Sequence, residues 1–484
     1  MDGGSRQTAT SQRGDRLRRR RWRRRRAGAA LGAALGLWLL PAAAAAAPQQ
    51  QGPAAPAPLA TGFVFHDRDR DGSRDPEEPG LARVAVSNGR EVALTGESGR
   101  WILPLLDPDD TTFFVIKPQG WMVPLTEQRV PRFHYSHKPS GSPRLRHAGV
   151  PPSGPLPPSI DFPLHPQHEP AELRLVLLGD PQPRDRRELG FLARDVVAEL
   201  IGLPAAFGVA LGDLTFDDLT LFEPLNEVLG QTGFPWFFVL GNHDLNQDAR
   251  EDRWSDETFE RVYGPSYYAF DWGPAHFVVL DDVVWTRGPA GAGYRGGLGQ
   301  QQLEFLRHDL ALVPRERPVV LFMHVPLTEV EDRAALYRLL QARPHVFSVS
   351  AHRHYQRHVF IGEEDGWRGT APHHHLIQAT ASGDWWQGLP DERGHPARDH
   401  ARRSAQRLVA AHAEAGRQLH RGLQAGGPPR RLAARDRGAG GGAARAARTH
   451  RGLGQRVRWL GALAGRDAGR AGSRLEAAGA RAPP

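Results

Sequence analysis

Five apolar runs each end in a short polar block: RLVLLGDPQ, AAFGVALGDLT, PWFFVLGNHD, PVVLFMHVP and HVFSVSAHRH, spread between Arg174 and His354. Short continuous apolar runs closed by Gly, Pro or Asp read as buried strands, and a polar block behind such a run lies where strand gives way to loop. Strand ends that share one edge of a sheet converge in space. Asp180, Asp213, Asn242, His243, His324, His352 and His354 are therefore expected at one locus. Between and after the runs, RELGFLARDVVAELIG, FEPLNEVLGQTG and LGQQQLEFLRHDLALV carry helical spacing, so strands and helices alternate in an α/β architecture.

Two carboxylates, an amide oxygen and several imidazoles brought together suit a pair of divalent metals such as Mn, Fe, Zn or Co. The chain has no Cys, which excludes thiolate ligands, thiol nucleophiles and disulfides. Metal sites must be built from nitrogen and oxygen.

The five blocks resemble those of the calcineurin-like metallophosphoesterases, and the match spans Glu172 to Gly388. That resemblance implies two packed sheets flanked by helices, with two metals at the carboxyl edge and hydrolysis of a phosphoester by a metal-activated water. It assigns Asp180 and His354 to the first metal, Asp213 to both, and Asn242, His324 and His352 to the second. His243, beside a ligand but outside the set, would protonate the leaving oxygen. The first block departs from the family's D-x-H: position 182 is Gln, whose amide oxygen is a weaker donor than imidazole, so the first site is expected to be looser or to prefer a harder metal. Ala351 stands where Gly is usual and is tolerable if its φ is negative. Arg353 is open between solvent and a substrate phosphate. Relatives often carry an acid after the bridging Asp that orients the His, and Asp217 and Asp218 both offer one. Tyr267 and Tyr268 are expected beside the site. His373, His374 and His375 enter a strand whose alternate side chains face opposite ways, so a structural role is expected; Trp385 and Trp386 are expected in the core.

Charge is unevenly distributed. Of the whole-chain +8, residues 1–47 contribute +9 and residues 395–484 contribute +14, which leaves −15 for residues 48–394. The basic ends hide an acidic body, and no phosphate-tracking surface for nucleic acid is expected. Residues 1–47 run from RLRRRRWRRRR into AGAALGAALGLWLLPAAAAAA, the charged, apolar and small-residue order of an export signal. Cleavage near Ala47 leaves no stable membrane span and a periplasmic or secreted protein; the Sec and twin-arginine routes both stay open.

A linker (48–60) leads into a segment, 61–130, whose short apolar runs GFVF, VAVSNG, EVALTG, WILPLL and TFFVIKP alternate with turns, as in a small immunoglobulin-like β-sandwich. Its DRDRDGSRDPEE places Asp67, Asp69, Asp71, Gly72, Asp75 and Glu78 at positions 1, 3, 5, 6, 9 and 12 of a calcium loop, which makes a structural calcium the expectation. It resembles calcium-loop β modules of bacterial surface proteins and the domain that precedes some bacterial metallophosphoesterases. Residues 131–170 carry enough Pro and Gly to read as a connector. The phosphoesterase domain is expected over 171–394. From His395 to Pro484 the chain turns to Ala, Arg and Gly, and a disordered tail is the simplest reading. A one-base slip near Gly394 explains it better: GC-rich codons read one nucleotide later permit a turn-rich segment and a strand, as in relatives with a C-terminal β domain.

The expected function is an exported metal-dependent phosphoesterase acting on a small-molecule or envelope phosphomonoester or phosphodiester. The alternative is a cell-envelope binding protein with a degenerate metal site. Substrate, metal identity and oligomeric state are not legible.

Overall fold

The computed structural model describes residues 58–289 and 291–382, with Trp386, Gly394 and the backbone of two later strands. The expected export segment, most of the linker and Trp385 lie outside these residues.

The first domain has eight strands: β1 (Leu59–His66), β2 (Ala85–Ser87), β3 (Val92–Leu94), β4 (Arg100–Pro104), β5 (Thr111–Val115), β6 (Trp121–Met122), β7 (His134–His137) and β8 (Phe162–Pro166). They form two sheets, ordered β4-β1-β8-β6 and β3-β2-β5-β7. Alternation builds the core: Ala60 and Val64 of β1 and Trp101 and Leu103 of β4 are buried. Trp101 packs on Phe113 at 5.5 Å and on Phe162 at 5.9 Å. The sandwich thus extends beyond 130, and the expectation of a mere connector over 131–170 is corrected. Within the Pro-rich text, HYSH and FPLHP are short enough to escape a periodicity reading, yet each completes one sheet. Phe162 and Leu164 face the core, while Pro163 and Pro166 point away from it.

The second domain has two further sheets. One contains β9 (Glu172–Leu178), β10 (Phe207–Ala210) and β11 (Trp236–Phe238), mutually parallel. The other is ordered β12-β13-β16-β17-β19-β18, from β12 (Tyr268–Trp272), β13 (Ala275–Val279), β16 (Val319–Phe322), β17 (Val346–Ser350), β18 (Arg357–Ile361) and β19 (His373–Ile377). A hairpin, β14 (Val283–Gly288) and β15 (Gly291–Gly296), stands apart from both. Every residue of β10, β11, β13 and β16 is buried, as expected of strands covered on both faces. Between the sheets lies an aromatic stack: Phe207 meets Phe277 at 5.1 Å, and Phe237 lies on Phe270 at 3.9 Å.

Helices α1 (Arg186–Leu192), α2 (Ala198–Leu200) and α3 (Phe222–Gly230) follow β9 and β10, and α4 (Glu257–Tyr263), α5 (Gly299–Leu312) and α6 (Arg333–Leu340) come later. A π-turn, Ala193–Val197, joins α1 to α2. The Asp185 side chain caps α1 by accepting from the Glu188 N–H at 2.9 Å. Among the described residues no helix is long and apolar enough to cross a membrane.

Two runs of the tail, β20 (Arg407–Glu414) and β21 (Val457–Leu463), extend the first sheet, with β20 antiparallel to β9. These two runs are the described part of 395–484. RLVAAHAE and VRWLGAL are apolar stretches, and the open edge of β9 offers backbone groups that a strand satisfies. The rest of that segment lies outside the described residues.

Candidate metal centre

The five polar blocks follow β9, β10 and β11 of one sheet and β16 and β17 of the other, so the carboxyl ends of parallel strands in both sheets deliver them to one locus. Carboxylate and imidazole donor atoms fall into two groups, Asp180–Asp213–His354 and Asp213–His324–His352, each with its ligand atoms within 4.8 Å of one another. Asp213 belongs to both. The Asn242 amide oxygen joins the second, 3.1 Å from His324 Nε2.

Backbone strain concentrates here. Asp180, Gln182, Asp213, Asp217, His352 and His354 all have φ between +36 and +66. Such conformations each cost roughly 1–3 kcal/mol and persist where surrounding structure imposes them. Two glycines allow the close approach: a Cβ on Gly212 would stand 2.5 Å from His324 Nδ1, and one on Gly241 would stand 2.0 Å from the Asp213 nitrogen. Ala351 is not among the positive-φ residues, as its side chain requires.

Ring orientation is fixed by hydrogen bonds to the far nitrogens. His324 Nδ1 donates to the Leu211 carbonyl at 2.9 Å, leaving Nε2 toward Asp213 at 3.2 Å. His352 turns Nδ1 inward, 3.2 Å from His324 Nε2, and its backbone N–H donates to Asp180. His354 Nε2 lies 3.7 Å from Asp180. Gln182 also reaches the cluster: its Nε2 donates to Asp213 Oδ2 at 2.6 Å, and its Oε1 is buried without a partner.

Asp180 and Asp213 are buried, and among the described residues neither has a Lys or Arg partner. Burial pushes the Asp180 carboxyl well up, reinforced by the Asp213 charge. Burial also opposes ionisation of Asp213, but His324 and His243 hold its carboxyl below the usual range. His324 is raised to about 10, burial being outweighed by Asp213, and His352 is lowered to about 3 by burial and the His324 charge. Paired buried carboxylates, inward nitrogens and an orphaned amide oxygen form a donor set that fits two divalent cations.

Beside the cluster, His243 Nδ1 bonds Asp217 Oδ1 at 2.7 Å, and the ring lies on Phe216 at 4.3 Å. The orienting acid is thus Asp217; Asp218 instead caps the next turn through Thr220. Burial disfavours the imidazolium of His243, yet the Asp217 bond raises its pKa. Sequence reasoning missed three supports. Asp244 binds the N–H groups of Leu214, Thr215 and Gly241, joining two ligand loops. Asp282 accepts from the His324 and Val325 N–H groups at 3.0 and 3.1 Å. Phe216 is the third. The acid pair that follows HFVVL was the available signal for Asp282, since β13 ends at the same edge.

Other expectations resolve elsewhere. Arg353 forms a forked pair with Glu329. The expectation that Tyr267 and Tyr268 flank the site is corrected: the Tyr267 hydroxyl donates to the Gly89 carbonyl of the first domain, and Tyr268 bonds Phe238 in the core. His373 and His375 share the Ser348 hydroxyl, at 2.7 Å each, and His374 pairs with His358, a structural arrangement. Trp386 is buried against Phe191. In the first domain, Asp67, Asp69 and Asp71 bring carboxylate oxygens within 4.8 Å of one another. Glu78 accepts from the Arg68 and Asp75 N–H groups.

Residues 68–147 match the family described as the N-terminal domain of calcineurin-like phosphoesterases. No curated protein matches the chain. Similar solved structures include a dimetal phosphatase from Danio rerio, at 16% identity and TM-score 0.34 over 49% of this chain and 95% of that one. A purple acid phosphatase from yellow lupin (Lupinus luteus) shows 13% identity and TM-score 0.34 over 74% and 66%. A phosphopantetheinyl hydrolase from Mycobacterium tuberculosis shows 14% identity and TM-score 0.26 over 47% and 99%. Residues 68–147 thus match the N-terminal domain of calcineurin-like phosphoesterases, and they precede a carboxylate–imidazole cluster able to hold two cations.

Proposed function

We propose that the protein is an exported hydrolase of small phosphomonoesters or phosphodiesters, working with two divalent cations of the Mn, Fe or Zn type. The observation that carries this reading is the convergence of Asp180, Asp213, His324, His352 and His354 where the carboxyl ends of strands from two sheets meet, with the His243–Asp217 pair beside them. Asp180, Asp213 and His354 would hold one cation, and Asp213, Asn242, His324 and His352 the other. Gln182 steadies the shared carboxylate through its N–H, and its buried, unpartnered oxygen would be available to a cation at the first position. When bound, the cations would activate water and neutralise phosphate charge. His243, its Nδ1–H held by Asp217, presents Nε2–H to the departing oxygen and delivers the proton there.

Export is supported by the residue order of 1–47 alone; the mass of the mature N-terminus from a bacterial host tests it. Calcium at the Asp67–Glu78 loop is read from the positions of its acids, and a calcium-dependent rise in unfolding temperature, lost in Asp67→Asn, tests it. For the activity, the full chain is incubated with Mn and nitrophenyl mono- and diesters. Turnover that falls more than about 100-fold in Asp213→Asn is expected, since loss of a mere supporting group already costs 10–100-fold. Folded, metal-loaded protein that cleaves neither ester would sink the reading, and unchanged function in Asp213→Asn would favour the binding-protein alternative.

A further inference from the structure

The β14–β15 hairpin was not legible as part of any site, yet it carries an aromatic residue to the metal cluster. Tyr294 stands on β15 directly across from Trp285 on β14, so the two side chains share a face. Trp285 is anchored: its indole N–H donates to the Ala249 carbonyl at 3.1 Å and its backbone N–H to Asp252 Oδ1 at 2.5 Å. Tyr294, by contrast, is 41% exposed. Its ring meets His352 edge to face at 5.8 Å and 87°, and its hydroxyl lies 3.5 Å from His352 Nε2, at the outer limit of a hydrogen bond.

The orientation of His352 decides what that hydroxyl can do. Nδ1 faces the interior of the cluster, so Nε2 carries the ring proton on the outer side and the tyrosine oxygen is its acceptor. The phenolic proton is then left to donate elsewhere. Tyr294 is thus solvent-exposed where it stands against His352, one of the residues of the cluster.

We propose that Tyr294 is a substrate-contacting residue of this site, its hydroxyl donating a hydrogen bond to a non-bridging oxygen of the bound phosphoryl group. The inference rests on the phosphoesterase reading. It would add a neutral, directional donor beside the cations and His243, and it makes the hairpin part of the binding surface.

The test uses the full chain loaded with Mn, with inorganic phosphate as the probe in calorimetric titration and nitrophenyl phosphate turnover in parallel. Tyr294→Phe keeps the ring against His352 and removes only the hydroxyl. The expected result is phosphate affinity lower by about tenfold or more with unchanged Mn content, because a hydrogen bond to a charged acceptor is lost. Tyr294→Ala should be no better a phosphate binder. Unchanged phosphate affinity in the Phe variant overturns the proposal, as does a loss of Mn in that variant, which would make Tyr294 a support for His352. If the wild type binds phosphate through Tyr294 but cleaves no ester, the contact stands and the hydrolytic reading fails. If it cleaves esters and the Phe variant binds phosphate normally, the contact alone fails. A wild type that neither binds phosphate nor cleaves esters removes both.

Discussion

At the amino edge of the β12–β13–β16 sheet, His276 lies between Asp271 and Asp309 at 2.8 Å each, with Arg317 on Asp271 at 3.0 Å. Lys117 reaches across from the first domain to Glu169 at 2.6 Å and to the Asp271 carbonyl at 2.7 Å. Three acids meet three cations there, and every contact is closed. At the carboxyl edge, Asp180 and Asp213 are as deeply buried, but among the described residues they face only imidazoles and amides, on strained backbone and beside an orphaned Gln182 oxygen. The contrast separates two uses of buried charge. A network that balances itself holds domains together, whereas one that leaves acidic donors facing inward has room for an external cation. The histidine triplet follows the first pattern, with His373 and His375 satisfied by Ser348.

That comparison breaks most visibly if the amino edge is opened. Glu169→Ala leaves Lys117 buried and unpaired, and should destabilise the protein by about 3–5 kcal/mol. Chemical denaturation reads the loss, and Mn content should stay at the wild-type level; a parallel loss of Mn would show that the two edges are not independent.

The pH dependence of stability sharpens the same point. Burial opposes the His276 charge, but Asp309 and Asp271 raise its pKa from 6.5 to about 9. Its contribution is fully present below pH 6.5 and is lost as pH rises through 9. The change is on the order of 3 kcal/mol, at 1.36 kcal/mol per pKa unit. Unfolding midpoints between pH 6 and 10 should fall in the wild type and flatten in His276→Gln; parallel curves would exclude the ion-pair role.

At the carboxyl edge, Asp217→Asn should lower kcat by about 10–100-fold with metal content unchanged, the usual scale for a group that orients another. If kcat is insensitive, His243 needs no orienting acid.

What could be read from residues alone follows the same division. The convergence of the five blocks was legible because each closes an apolar run, and a run long enough to be a strand fixes where its end lies. Asp217 could not be chosen over Asp218, because the choice depends on a left-handed turn at Asp217 itself, with φ of +65. Gln182 read as a weakened ligand, while its N–H proves to be committed to Asp213. Strands β7 and β8 were hidden by their prolines, and Tyr294 by a Gly-rich hairpin whose pairing is set by the fold around it. Local pattern locates the ends of buried strands; it does not report which loops turn back onto them.

The central claim is that the carboxyl edge requires cations, and Mn retention tests it most directly. Full-length protein equilibrated with Mn and then passed through a desalting column should retain about two equivalents by elemental analysis. Its unfolding should be stabilised by about 2.7 kcal/mol per occupied site when free Mn is held at 100 times the dissociation constant. Asp213→Asn should lose both effects. Wild-type protein that retains no metal and unfolds identically with and without Mn would contradict the claim.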